Sequence, residues 1–183
     1  MFEKTKRRIG IWLAENREKA SQRRLIHSSG FWKDIHQVVI GLPDNFHEWK
    51  SLADVVELIR TKTGQPAASV TFWVPPLLVN EIDNHFPGMK RVTPSDLTYT
   101  RWYIPEKQSV TARFGNAIDL VIDLSVDFKP DSAYIWAALN RSFRVGFISW
   151  KNDWFYDLVI RCQPSTVPQQ RIQHLKKILE SLN

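Results

Sequence analysis

The chain has a single cysteine, Cys162, among 183 residues. It cannot make an internal disulfide, so a reducing compartment, the cytoplasm, is the expected location. Glycine is scarce and scattered: Gly10, Gly30, Gly41, Gly64, Gly88, Gly115 and Gly146, no two of them close. Gly-x-Gly-x-x-Gly turns and Walker loops cluster glycines so that backbone N–H groups can approach a phosphate, and neither motif is present. A dinucleotide or P-loop site is therefore not expected. Long apolar runs are missing too. The longest uncharged stretch, 63–80, is broken by Pro66, Pro75 and Pro76, which argues against a spanning helix. The N-terminus lacks the apolar core of a signal peptide. His27, His36, His47, His85 and His174 stand at metal-ligand spacing neither to one another nor to Cys162, and no serine sits in a Gly-x-Ser-x-Gly elbow. No metal or other cofactor is expected. Cys162 follows an apolar run with Arg161 as its basic neighbour and reads as a small buried hydrophobe.

What is present is a folded chain with a lopsided charge. At 43% hydrophobic residues the apolar content is too high for a disordered protein. The net charge is +6. Residues 1–27 carry Lys4, Lys6, Arg7, Arg8, Arg17, Lys19, Arg23 and Arg24 against Glu3, Glu15 and Glu18, which leaves +5 there and +1 on the remainder. Residues 2–27 contain no proline and are dominated by helix formers, with Ile9, Trp12 and Leu13 as a short apolar stripe. They predict a basic helical arm over 1–30, ended by Ser28-Ser29-Gly30.

Beyond the arm the pattern alternates. Strands are predicted over 36–42, 69–74, 118–124, 143–148 and 155–161, with a short one near 89–92. Helices are predicted between them. One carries Trp49, Leu52, Ala53, Val56 and Ile59, with an Asn45–Glu48 capping box before it and Gly64 after it. A short one spans about 108–114. A third opens at Pro130-Asp131 and is apolar nearly all round from Tyr134 to Leu139. The last starts with a serine cap near Ser165 and Pro168 in its first turn. Apolar strands separated by amphipathic helices imply a single α/β domain over 33–183. The expected fold is a three-layer, Rossmann-like domain with a mostly parallel sheet, preceded by the basic helix. Leu120, Ile122, Ile135, Leu139, Val145, Val159 and Leu175 are expected in the core. The four-letter run Asp-Leu-Val-Ile occurs at both 119–122 and 157–160, and reads as coincidence or as shared chemistry at strand starts.

Several segments together resemble a family of short Bacteroidota proteins of unknown function. They are the basic helix, Val38-Val39-Ile40-Gly41, Phe46-x-x-Trp49-x-x-Leu52, Val70-Thr71-Phe72, Pro94-x-Asp96-Leu97, the run 118–124, Ala137-Ala138-Leu139 followed by Phe143-Arg144-Val145-Gly146, and Tyr156-Asp157-Leu158-Val159-Ile160. A more distant, fold-level similarity is to the N-terminal half of bacterial heptosyltransferases, where an Asp-Leu-Val-Ile-Asp-Leu strand leads through an apolar helix to Arg-x-Gly-Phe. Here those elements are the run 119–124, the helix to Leu139, and Arg144-Val145-Gly146-Phe147. Where those enzymes carry a Gly-Asp pair after the first strand, this chain has Pro43-Asp44-Asn45-Phe46. The second resemblance implies an alternative reading, an enzyme or degenerate remnant related to sugar-transfer domains.

Asp123, Ser125 and Asp127 are the best candidate ligand-binding cluster. They fall at or just past the carboxyl end of a predicted central strand, where open α/β sheets bind ligands. Carboxylates there suit general-base, hydroxyl-binding or metal roles; the same residues also suit local turn and helix capping. Asp119 and Asp157, at strand starts, read as structural. Of the 22 aromatic residues, two groups lie beside basic residues: Arg101-Trp102-Tyr103, and Trp150, Trp154, Phe155 and Tyr156 around Lys151-Asn152-Asp153. Such groups can stack bases or sugars, or simply fill cores. The eight cations of the arm suit an anionic partner: RNA, a ribosome or an anionic membrane surface. The function expected from the sequence is thus a non-catalytic binding or scaffold protein contacting that partner through its basic N-terminal helix.

Overall fold

Six short strands pair in parallel throughout, in the order β3-β2-β1-β4-β5-β6. They are β1 (Gln37–Gly41), β2 (Ser69–Trp73), β3 (Lys90–Val92), β4 (Leu120–Asp123), β5 (Phe143–Phe147) and β6 (Leu158–Ile160). The computed structural model describes residues 30–64, 69–101, 103–127, 129–139, 142–147, 155–163 and 166–182. The predicted basic arm, apart from Gly30, lies outside them, as do Trp102, Trp150, Trp154 and the loop between the last two.

The described helices are α1 (Trp49–Thr63), α2 (Val79–His85), α3 (Lys107–Phe114), α4 (Pro130–Ala138) and α5 (Pro168–Ser181). They cover both faces of the sheet, which explains why the strands read as continuous apolar runs. Side chains alternate across a strand. Val38, Ile40, Leu120, Ile122 and Val145 therefore join a core with Leu52, Val56 and Ile59 of α1 and Ile172, Leu175 and Leu179 of α5. Val39, Val121 and Trp73 join a second core with Val110 and Phe114 of α3 and Ile135 and Trp136 of α4. Trp32, in a 3₁₀ turn before β1, donates its Nε1–H to the Leu182 carbonyl at 2.8 Å and ties the two ends of the described fold together.

Leu139, 3% exposed at the end of α4, belongs to the second core. Leu139→Ala should cost roughly 2–5 kcal/mol through lost burial and the cavity left behind. A chemical-denaturation midpoint unchanged by the substitution would contradict that packing.

The Asp-Leu-Val-Ile repeat has a common role. The Asp119 carboxylate accepts the backbone N–H groups of His36 and Gln37 at 2.9 and 3.1 Å, at the start of β1. The Asp157 carboxylate accepts the N–H of Arg144 at 2.9 Å, at the start of β5. Each carboxylate accepts a backbone donor at the start of the neighbouring strand, so shared chemistry explains the repeat.

Several expectations need correction. Val159 is half-buried, because β6 is the edge strand of the described sheet and pairs on one side with β5. The Asn45–Glu48 capping box does not form: α1 begins at Trp49 with Glu48 as N-cap and no side-chain cap. Phe46 decides this, since it is buried and packs edge-on against Trp49 with centroids 5.0 Å apart, which draws the loop inward before the helix begins. A capping box does form at Thr93 and Asp96, where the Thr93 N–H donates to the Asp96 carboxylate at 2.7 Å. The N-cap of α5 is Val167 rather than a serine, with Pro168 in the first turn. Helix α2 escaped the sequence reading because seven residues give too short a period to recognise.

Candidate functional site

A cleft of about 1040 Å³ opens outside the carboxyl ends of β1, β4, β5 and β6. Its position follows from the winding. The chain runs from β1 to β2 and β3 in one direction and from β4 to β5 and β6 in the other. Helix α1, after β1, packs on one face, and α4, after β4, on the opposite face. The chain reverses direction between β1 and β4, and the crevice lies at the carboxyl end of the sheet beside this switch point. Residues 43–48 after β1 and 124–127 after β4 form one side of the cleft. Phe147 forms part of the floor, and residues 161–163 after β6 with Pro168, Arg171 and Ile172 of α5 form the other side. Lys129 reaches Asp44 at 2.6 Å, tying the two loops together on that side.

The three predicted site residues separate. Ser125 and Asp127 line the cleft, Ser125 buried and Asp127 exposed. Asp123 does not line it. By the alternation of β4 its side chain shares the face of Val121, beneath α4, where it is 3% exposed. Oδ2 accepts the Trp136 indole N–H at 2.9 Å and the Tyr156 hydroxyl at 2.8 Å, and Oδ1 accepts the Ser125 backbone N–H at 2.9 Å. Three donors thus occupy a carboxylate that the sequence offers as a candidate base.

Two glycines make room for this clamp. In the ladder Asp123 lies between Gly41 of β1 and Gly146 of β5. A Cβ on Gly41 would stand 2.6 Å from the Trp136 ring, and one on Gly146 would stand within 2.6 Å of three ring atoms of Tyr156. Both rings come up against backbone that only glycine leaves open. Burial pushes the Tyr156 hydroxyl far above the usual phenol range, and the neighbouring Asp123 charge pushes it further. Below about pH 10 the hydroxyl is protonated in folded and unfolded chains alike, so its bond contributes in full. Above that pH the unfolded chain releases the proton while the folded chain holds it, and stability falls as pH rises. Denaturation midpoints measured between about pH 8 and 11 should therefore fall less steeply for Tyr156→Phe than for the parent. Parallel curves would contradict the assignment.

The remaining sequence candidates are accounted for individually. Cys162 is half-buried on the cleft wall rather than fully buried, because it lies beyond the end of β6. Burial pushes its thiol up while the Arg171 charge acts in the opposite direction. Phe155 and Tyr156 fill the second face: Phe155 belongs to the core, packs edge-on against Tyr156, and carries the Arg144 guanidinium 5.0 Å above its ring centre. Arg101 and Tyr103 sit in a turn between Tyr99 and Pro105, which form an isolated antiparallel bridge. Among the described residues, no group of three or more His, Cys, Asp or Glu is gathered for a metal ion, and no helix is long and apolar enough to cross a membrane.

Sequence reasoning missed the wall made by Arg161, Gln163 and Arg171, and the clamp partners Trp136 and Tyr156. The rule that selected 123–127, the carboxyl ends of parallel strands, also selects 43–48 and 161–163 once all strand ends are treated alike. Gly41 and Gly146 within strand patterns signal close approach by something large. No protein-family model, no curated protein and no solved structure matches the chain.

Proposed function

We propose that this protein is a non-catalytic binding protein that holds a small ligand in the cleft at the carboxyl ends of the sheet. The observation that carries this reading is the cleft's composition. It combines an apolar lining, Phe46, Leu124, Phe147 and Ile172, with convergent polar groups, and Asp123 is turned away from it and fully engaged. The alternative, an enzyme or remnant related to the N-terminal half of heptosyltransferases, draws on the same strand-end position. Its carboxylate would be Asp127, exposed on the cleft wall.

A thermal-shift screen of the full chain against small carboxylates, sugar phosphates and neutral sugars tests the proposal. Asn45→Trp, at an exposed lining position, serves as a cleft-blocking variant. A ligand at about 100 times its dissociation constant should stabilise the parent by about 2.7 kcal/mol and the blocked variant by much less. ATP, GTP, NAD and nucleotide-sugars should give no comparable shift, because no glycine-rich turn offers them a backbone cradle. Ligands that stabilise parent and blocked variant equally would place binding elsewhere.

A second reading is carried by the charge distribution: the +5 of residues 1–27 suits contact with RNA, a ribosome or an anionic membrane surface. Charge reversal at Arg7, Arg8, Arg23 and Arg24 should weaken such binding and flatten its salt dependence. On duplex nucleic acid the log–log slope should fall by about 0.9 for each phosphate that the arm no longer neutralises. Co-sedimentation with ribosomes and anionic vesicles across a salt series measures this. Binding unaffected by the reversal would remove the arm from the proposal.

A further inference from the structure

We propose that the β6–α5 side of the cleft, through Arg161 and Arg171, holds the anionic group of the ligand, a carboxylate or a phosphate. This rests on the cleft being a ligand site and adds the chemistry it selects. The charges of the lining are segregated. Asp44, Glu48 and Asp127 all stand on the loops after β1 and β4, together with Lys129, whose ammonium is paired with Asp44 at 2.6 Å. The opposing described wall, residues 161–163 with Pro168, Arg171 and Ile172, carries two arginines and no carboxylate. Arg161 is exposed at the end of β6 and Arg171 is half-buried on α5. The charge of Arg171 is felt at the Cys162 thiol on the same wall.

Guanidinium groups recognise carboxylates and phosphates through planar, paired N–H donors. An anion on the acidic side would be repelled, whereas on this side it meets two cations beside an apolar floor. Phosphate-binding folds of this winding place the anion at the loop after the first strand, on a glycine-rich backbone. Here that loop contains Asp44 and Glu48 and has no glycine beyond Gly41. The anion is therefore held by side chains at the other wall, and a small ligand carrying one acidic group and an apolar or hydroxylated remainder fits the cleft better than a dinucleotide.

The test is a titration of the isotopically labelled full chain with inorganic pyrophosphate and, separately, with malonate, followed by amide and arginine Nε resonances. The parent is compared with Arg161→Gln, Arg171→Gln and the control Lys177→Gln, an exposed α5 position outside the cleft. One or both anions should shift residues 161–163 and 124–127. Binding should weaken about tenfold or more in the arginine variants, as expected for removal of a charge-assisted hydrogen bond, and hold in the control. The two titrations distinguish a phosphate from a carboxylate preference. If Arg171→Gln loses its folded spectrum, Arg161→Gln, at an exposed position, decides. Binding that ignores both arginines, or shifts confined to residues 1–29, would overturn the assignment. A neutral compound that shifts cleft residues while neither anion does would overturn it and leave the cleft reading standing. No cleft shift with any compound would overturn both.

Discussion

Replacing Asp123 by alanine should destabilise the protein by roughly 3–5 kcal/mol, because it strands buried donors, each costing about 1–3 kcal/mol when unpaired. The Trp136 indole N–H and the Tyr156 hydroxyl both end on Oδ2, and both lose that acceptor when the carboxylate is removed. Asp123→Asn should recover only part of the loss, since one amide oxygen cannot serve three donors and the amide NH₂ brings donors of its own. Equilibrium denaturation of the parent, both variants and the double variant Asp123→Ala/Tyr156→Phe would measure the coupling. Removing the hydroxyl as well should cost less than the sum of the separate losses. An Asp123→Ala protein as stable as the parent would show that the carboxylate is not structural and would make it a functional candidate again.

The second large effect concerns the space beneath the tyrosine. Gly146→Ala would place a methyl carbon 2.3 Å from the nearest Tyr156 ring atom. The ring cannot simply lift, because its hydroxyl is held 2.8 Å from Asp123. Overpacking of this kind typically costs about 1–3 kcal/mol, and the strained Tyr156–Asp123 bond should carry the total to roughly 3 kcal/mol or more. Combining Gly146→Ala with Tyr156→Ala should relieve the clash, so the double variant should lose less than the two single losses added. Strict additivity, measured by urea denaturation, would contradict the contact. Gly41→Ala tests the other side of the clamp, where the obstacle is the Trp136 ring at 2.6 Å.

The sheet was legible because its strands are buried on both faces. Runs such as Val38-Val39-Ile40 and Leu120-Val121-Ile122 admit no polar residue, and α1 and α5 keep a clear apolar stripe. Strand order was not legible, since pairing between β1 and β4 joins segments some 80 residues apart without leaving a local pattern. The position of the cleft could be approached from sequence through the carboxyl ends of the strands. Its lining could not, because the point at which β4 ends decides which of these side chains enters it. Asp123 shares the face of Val121 and turns under α4, whereas Ser125 and Asp127 in the loop beyond reach the cleft. The partners that hold Asp123 come from 13 and 33 residues downstream, a distance at which sequence spacing carries no signal. Val159 was misjudged because an apolar run looks the same in an edge strand as in a central one.

A structural carboxylate and a ligand cleft beside it meet in one measurement: a crystallographic fragment soak of the full chain with small acids, phosphates and neutral sugars. Bound fragments are expected between the 43–48 and 124–127 loops and the Arg161–Arg171 wall, with the Asp123 carboxylate still held by Trp136 and Tyr156. Fragments that open the clamp and bind Asp123 directly, or that leave the cleft empty while occupying other surfaces, would contradict this.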